Sequence, residues 1–265
     1  MEQLAGWLAT PSVVGVMLLS TRLGALLVMT PLVHAVPVPP MGKLALTLGV
    51  STAIALPLAT HVEVPAGIGA LVAALLGEAV LGAAMGVGVL VAFAGFSFAG
   101  RVLDVQVGFG IGQVLDPVTR APVPVLTSLF AFLGVLVFLL ADGHHGLLRG
   151  FALSAERFPP GGAWELPSAG PLLAQASTLF ALGFSLAAPV VLCLFLLELA
   201  LAVIARNLPQ ANMLLLGIPV KIVAGLAVLA LCLPAMAEAM NRLHASIFTG
   251  WGALLEPSSS EVRRR

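Results

Sequence analysis

The chain has 265 residues, of which 60% are hydrophobic and only 9% are charged, and its mean hydropathy is +1.10. Soluble domains contain roughly 45–50% apolar and about 25% charged residues, so this composition excludes an ordinary water-soluble protein. The 12 basic residues balance the 12 acidic ones, which gives no electrostatic basis for nucleic-acid binding. Tyrosine is absent, and the apolar residues form long runs instead of the short alternating segments of a β-barrel. We therefore predict an all-α, polytopic membrane protein of long helices and helical hairpins.

About six apolar segments follow one another along the chain. They are 12–33, 44–60, 64–100, 123–141, 172–205 and 214–237. The first follows an acidic start and has no clear small-residue cleavage site, so we expect a retained span and not a signal peptide. The third and fifth exceed the roughly 20 residues that one crossing needs. Each is either a long helix that extends beyond the bilayer or a hairpin bent within it, with Gly95 and Pro189 as candidate bends.

Glycine-rich and proline-rich linkers separate the later segments. They lie at 101–122 and 142–171. We expect residues 1–255 to form a single membrane-embedded domain and residues 256–265 to form a disordered basic tail. An excess of Lys and Arg on the side that holds both termini favours cytoplasmic termini, although this bias reverses without the last three arginines.

Pairs of small residues recur at a spacing of four. Gly82 and Gly86 form one such pair, and Gly95 and Ala99 form another. Small residues let helix backbones approach closely in lipid. The pattern therefore indicates either dense helix packing between subunits or a chance outcome of a Gly/Ala-rich composition.

Four charged residues interrupt the hydrophobic runs: Arg22, Glu78, Glu198 and Lys221. A charge at the middle of a bilayer costs at least roughly 2.5–3.5 kcal/mol on insertion scales, so each should face protein, water or a partner charge. Arg22 with Glu78 and Glu198 with Lys221 are plausible pairs. Structural pairing is the favoured interpretation, and a proton or ion path is the alternative.

The candidate chemical sites are weak. Residues 142–145 contain two adjacent histidines, which we expect to point in different directions on a helix and so to make a poor metal site. The glycines at 108–112 lack the spacing of a dinucleotide fingerprint. Ser154 has no evident His/Asp partners, and Cys193 and Cys232 are expected to be core residues. We predict no catalytic residue, no cofactor and no metal site, and hence no enzyme.

Several stretches match, in order, the signature of a known family. They are Arg22-Leu23-Gly24, Val36-Pro37-Val38-Pro39-Pro40, Lys43-Leu44-Ala45-Leu46, Asp116-Pro117, Asp142-Gly143-His144-His145-Gly146-Leu147-Leu148, Ser154, Phe158-Pro159 and, most specifically, Pro209-Gln210-Ala211-Asn212 with Gly217-Ile218-Pro219-Val220-Lys221. Over about residues 10–245 the chain resembles the FliR/SctT family, the polytopic subunit of the export gate in bacterial type III secretion. The histidines after Asp142 look more like the flagellar branch than the injectisome branch.

The resemblance implies a structural, channel-forming subunit and not a catalyst. It implies assembly with FliP- and FliQ-type gate subunits and FlhB/FlhA-type export components in the bacterial inner membrane, at the flagellar basal body. Unfolded flagellar proteins would pass through the channel, and partner proteins and the proton-motive force would supply the energy. The family's helical hairpins look transmembrane although much of the gate stands above the membrane, so Glu78 and Glu198 could lie in subunit contacts.

The resemblance also implies that a plug closes the channel. By motif position this plug corresponds to about residues 106–122. Its predicted members are Gln106, Gly108, Phe109, Gly110, Ile111, Gly112, Val114, Asp116 and Pro117. A hydrophobic constriction blocks ions by dewetting, and glycines would let the segment shift when substrate enters.

Three alternatives remain open at this stage. The first is an export subunit of the injectisome type. The second is a secondary transporter, which would show an internal repeat and broken helices at matching positions. The third is an integral membrane enzyme, which would need clustered catalytic groups at one membrane face.

Overall fold

The computed structural model describes residues 10–32, 39–109, 124–162, 170–207 and 213–255. These ranges contain α1 Pro11–Met29, α2 Pro40–Ala55, a 3₁₀ helix Ala59–His61, α3 Ile68–Val107, α4 Val125–Leu140, α5 Gly143–Arg157, α6 Gly170–Asn207 and α7 Met213–Leu254. Within them no strand occurs, so the all-α prediction is confirmed. The predicted tail at 256–265 lies outside the described residues.

Four stretches of helix are long and apolar enough to cross a membrane by length and composition. They are Pro11–Met29, Ile68–Val107, Gly170–Asn207 and Gly217–Leu254. The bent pair formed by α4 and α5 is a fifth candidate span. A chain with several such helices is a multi-pass membrane protein.

The two longest predicted segments are single helices. α3 has 40 residues and α6 has 38, and they run unbroken through Gly95 and Pro189 respectively. Of the two alternatives, a hairpin bent at those residues is therefore wrong, and each segment is one long helix. An interior proline removes one backbone hydrogen bond, and neighbouring groups in a membrane helix can compensate for that loss.

Hydropathy alone missed one helix and ended two others too early. The linker predicted at 142–171 contains α5, α3 continues past 100 to Val107, and α7 continues past 237 to Leu254. An apolar run ends where charges begin, but a helix does not. In α7, for example, Arg242 pairs with Glu238 one helical turn earlier, a spacing that supports a helix.

The chain forms two compact units, each with its own core. Unit 1 comprises Met1–Val91, Phe138–Ala176 and Ser246–Arg265, and unit 2 comprises Ala92–Val137 and Ser177–Ala245. In unit 1, α1 packs against α2, and a buried cluster contains Leu19, Leu23, Ala55, Phe151 and Ala155.

Unit 2 has a larger apolar core. Its buried members come from α3, α4, α6 and α7, and they include Phe96, Phe130, Leu186 and Leu243. The core of unit 2 is thus formed by side chains from four helices.

In unit 1, Gly82 and Gly86 allow α3 to lie directly against the backbone of α1. A Cβ atom at Gly82 would lie 2.1 Å from the carbonyl oxygen of Arg22, and one at Gly86 would lie 2.6 Å from the Cβ of Met29. The small-residue pattern therefore does mark dense helix packing. The packing lies within the chain, so the prediction that these two glycines mark a contact between subunits is wrong.

Replacing Gly82 by alanine should destabilise unit 1, because its Cβ would collide with backbone atoms that cannot move aside. We expect a loss of about 1–3 kcal/mol in the free energy of unfolding. Gly24→Ala is the matched control, since a Cβ at Gly24 meets nothing within 4 Å. Thermal unfolding of the purified protein in detergent measures both variants. A Gly82→Ala protein as stable as the Gly24→Ala protein would contradict the close approach.

Candidate functional site

A fully buried ion pair joins α1 to α3 in unit 1. The side chains of Arg22 and Glu78 are both 0% exposed, and Nε of Arg22 lies 2.5 Å from Oε2 of Glu78. The pairing predicted from sequence is therefore confirmed. Because the chain itself buries both charges, the expectation that Glu78 lies in a subunit contact is wrong.

The same pair is tied to α5 and to the turn that follows it. Nη1 of Arg22 donates to Oγ of Ser154 at 3.2 Å, and Nη2 donates to the carbonyl oxygen of Phe158 at 2.9 Å. The backbone N–H of Gly161 donates to Oε1 of Glu78 at 3.4 Å. We call these five residues the buried arginine network. It satisfies both charges inside protein, which is the condition for placing them among apolar helices.

The network explains two residues that the sequence left without a role. The hydroxyl of Ser154 donates to the carbonyl of Phe151 at 2.7 Å and accepts from Arg22, so its hydrogen-bonding capacity is used structurally. Gly161 has a φ of +85°, which glycine adopts without strain, and a Cβ there would lie 2.2 Å from the carbonyl oxygen of Glu63.

In unit 2, one carboxylate holds together the two helices that flank the predicted plug. Asp104 lies in the last turn of α3 and is 3% exposed. Its Oδ1 accepts from the backbone N–H of Leu126 at 3.0 Å, and its Oδ2 accepts from the backbone N–H of Thr127 at 2.8 Å and from the Thr127 hydroxyl at 2.7 Å. An acidic side chain that caps the free N–H groups of a helix start stabilises that start. We call this contact the Asp104 clamp.

The clamp joins the two helices between which residues 108–124 lie in the chain. Gly108 follows α3 directly with a φ of +101°, a conformation in which glycine commonly ends a helix. The side chain of Phe109 packs, partly buried, against the apolar core of unit 2.

The predicted plug residues divide into two groups. Gln106 lies inside α3, so its assignment to a loop is wrong, and Gly108 and Phe109 immediately follow that helix. Gly110, Ile111, Gly112, Val114, Asp116 and Pro117 lie outside the described residues. The motif residues Pro209, Gln210 and Asn212 also lie outside them.

Unit 2 contains another ion pair, and this one is only partly buried. Nζ of Lys221 on α7 bonds Oε1 of Glu198 on α6, as the sequence predicted, and the two side chains are 27% and 37% exposed. In the most apolar stretch of each of these two helices, only 17% of the residues are buried. Hydrocarbon would not cover half-exposed charges favourably, so this face needs water or another protein.

The two adjacent histidines at the start of α5 do not point apart. Their ring centroids are 4.1 Å apart, and Nδ1 of His145 lies 3.3 Å from Oδ1 of Asp142. The expectation that they diverge is wrong, because the side-chain rotamers in this first helical turn bring the two rings together. Asp142 itself adopts a left-handed backbone conformation with a φ of +54°.

Sequence reasoning missed three polar anchors. Asp104 is one of them, although a lone carboxylate near the end of a helix and before a glycine-rich linker is a recognisable signal. In unit 1, Gln175 donates to the carbonyl of Gly88 at 2.8 Å, and Trp251 donates to the carbonyl of Met85 at 2.9 Å. Nothing in the local sequence identifies these last two contacts, because they join residues far apart in the chain.

Comparison with known proteins identifies one family over most of the chain. The sequence profile of the family described as "Bacterial export proteins, family 1" matches residues 13–247. The matched region begins in α1 and ends in α7, and it contains the buried arginine network, the Asp104 clamp and the Lys221–Glu198 pair.

The individual relatives are named as flagellar biosynthetic or secretion-system proteins. The flagellar biosynthetic protein FliR of Bacillus subtilis is 32% identical over 162 residues, which are 59% of this chain and 62% of that protein. FliR of Escherichia coli is 29% identical over 228 residues, which are 86% of this chain and 87% of that protein. The secretion system apparatus protein SsaT of Salmonella typhimurium is 26% identical over 160 residues, or 60% of this chain and 62% of that protein.

Removing one charge of the buried arginine network should destabilise unit 1 strongly. In Glu78→Gln, the guanidinium of Arg22 stays buried without a counter-ion, and breaking a buried pair costs about 3–5 kcal/mol. Glu63→Gln is the control, because Glu63 is exposed and should change stability by no more than about 0.5 kcal/mol. Denaturation in detergent micelles measures the difference. Equal stabilities of the two variants would argue that the network does not hold α1, α3 and α5 together.

Proposed function

We propose that this chain, which belongs to family 1 of the bacterial export proteins, is a structural, channel-forming subunit of the flagellar type III export gate. It passes unfolded flagellar proteins across the bacterial inner membrane, at the flagellar basal body. The family match over residues 13–247 carries the proposal. The several candidate membrane helices and the relatives named flagellar biosynthetic proteins agree with it.

The incompletely covered helices support assembly with other subunits. α6 and α7 leave large apolar side chains exposed, and the same two helices carry the half-exposed pair of Glu198 and Lys221. Lipid suits the apolar side chains but not the charges, whereas a protein partner with its own polar groups suits both. We assign this face to FliP- and FliQ-type gate subunits, with FlhA- and FlhB-type components completing the apparatus.

The Asp104 clamp supports the plug assignment. A segment that closes a channel must be held at its ends and free to shift between them. Asp104 joins the last turn of α3 to the first turn of α4, so residues 108–124 begin and end at one anchored point. The sequence has glycines at 108, 110 and 112, and a glycine-rich composition is compatible with displacement by an incoming polypeptide.

An injectisome subunit is the second candidate, and the relative SsaT favours it. Identity alone does not separate the two candidates, because FliR of Caulobacter vibrioides is 25% identical and SsaT is 26% identical. The histidines after Asp142 look more like the flagellar branch, so flagellar export is the function that we propose.

Export itself tests the proposal. Deleting the chain from its host should abolish secretion of flagellar proteins and swimming, and re-expression should restore both. Secreted flagellar proteins in the culture medium and colony spreading in soft agar are the readouts. A deletion strain that swims normally but has lost secretion by an injectisome would move the chain to the second candidate.

Deleting residues 108–112 should leave the assembled gate leaky to ions, because the segment loses part of the bulk that closes the channel. Conductance of the assembled complex in planar bilayers should rise several-fold over the intact complex. Unchanged conductance of a fully assembled variant would count against the plug.

Two substitutions of Asp104 test the plug without a deletion, in case the deletion prevents assembly of the gate. Asp104→Ala removes all three hydrogen bonds of the clamp, a loss of about 0.5–2 kcal/mol for a helix cap, while Asp104→Asn keeps an oxygen acceptor. Leakage should follow the order Asp104→Ala, then Asp104→Asn, then wild type. A reversed order would contradict the role of the clamp.

A further inference from the structure

The break between α4 and α5 brings three potential metal ligands together in unit 1. Asp142, His144 and His145 each offer one ligand atom, and these atoms all lie within 4.8 Å of one another. The proposed export function uses none of them. We propose that they form a binding site for a divalent transition-metal cation, for which Zn²⁺ is the best match.

The chemistry of the donors favours zinc. Imidazole nitrogens and a carboxylate oxygen are its ordinary ligands in proteins, and three protein ligands with water in the fourth position form a common open site. Two ligand atoms at a tetrahedral zinc with bonds of about 2.1 Å lie about 3.4 Å apart. Oδ1 of Asp142 and Nδ1 of His145 already lie 3.3 Å apart. Rotation of the His144 ring would bring in the third ligand.

One ring nitrogen of His144 has no hydrogen-bond partner in the part of the chain that the structure describes. This nitrogen, Nδ1, is buried. The ring centroids of His144 and His145 are 4.1 Å apart, so the two imidazoles already lie side by side. A buried nitrogen without a partner is unfavourable, and coordination would remove this penalty.

A cation can reach Asp142 and His145 from an open cavity, whereas His144 is not among the residues that line it. The side chains of Asp142 and His145 are 76% and 62% exposed, and they line an open cavity of about 490 Å³. Gly143, Gly146 and Phe248 line the same cavity. It has room for the metal and its bound water.

Two features oppose binding and therefore define a test. The start of α5 has a partial positive charge from the helix dipole, and the guanidinium of Arg149 lines the cavity. Asp142 supplies the compensating negative charge, so neutralising it should weaken binding as much as removing an imidazole. Removing the charge of Arg149 should instead tighten binding.

Calorimetric titration with Zn²⁺ tests the site on the full-length protein in detergent, purified through a tag without histidine and freed of metal by a chelator. We expect one saturable Zn²⁺ per chain. Asp142→Asn, His144→Ala and His145→Ala should each weaken it about tenfold or more. His61→Ala is the control, because His61 is an exposed histidine in another part of unit 1. The His61→Ala protein should bind Zn²⁺ as tightly as the wild type.

Arg149→Gln keeps the test decisive, since a misfolded protein would not bind more tightly. We expect a several-fold gain in Zn²⁺ affinity, together with the visible absorption of tetrahedral Co²⁺ when Co²⁺ replaces Zn²⁺. The proposal is overturned by absent binding, by equal weakening in His61→Ala, or by an Arg149→Gln protein whose affinity is unchanged. None of these readouts depends on export, so they stand apart from the test of the proposed function.

Discussion

A charge among membrane helices must be satisfied by protein, and the pair of Arg22 and Glu78 meets this condition completely. Neither side chain is exposed, and Ser154, Phe158 and Gly161 satisfy further hydrogen-bonding groups of the pair. These contacts tie α1, α3 and α5 into one unit. In the same unit, Gly82 and Gly86 let α3 approach α1 closely.

The same condition is met only in part on the surface of α6 and α7, which we propose faces partner subunits. Glu198 and Lys221 satisfy each other but remain half exposed on α6 and α7. A charge pair that this chain alone does not cover, on helices that expose large apolar side chains, is typical of a subunit inside an assembly. The buried arginine network thus stabilises the chain itself, whereas we propose that the pair of Glu198 and Lys221 lies on the face that contacts partners.

Much of the fold follows from composition and periodicity. Long apolar runs predicted an all-α membrane protein, and the interrupting charges predicted both ion pairs. The hairpin alternative was wrong because α3 and α6 continue through Gly95 and Pro189, residues that membrane helices tolerate when neighbouring groups satisfy the freed backbone. Hydropathy also overlooked α5, because its sequence is amphipathic and not apolar.

The site was less predictable for a different reason. The position of Asp104 before a glycine-rich linker is a recognisable local signal, but its partners Leu126 and Thr127 lie more than 20 positions away, and no local pattern identifies them. The adjacent histidines failed the simple rule that neighbouring residues on a helix diverge, since rotamers can override it. The resemblance of the motifs to a family, in contrast, was sufficient to predict the family itself.

Mass analysis of the particle isolated from native membranes in mild detergent tests the central claim most directly. If protein partners cover the exposed helices, the chain should be recovered in a stable complex with FliP- and FliQ-type subunits. A solitary chain, stable in detergent and carrying a small bound solute, would contradict the account.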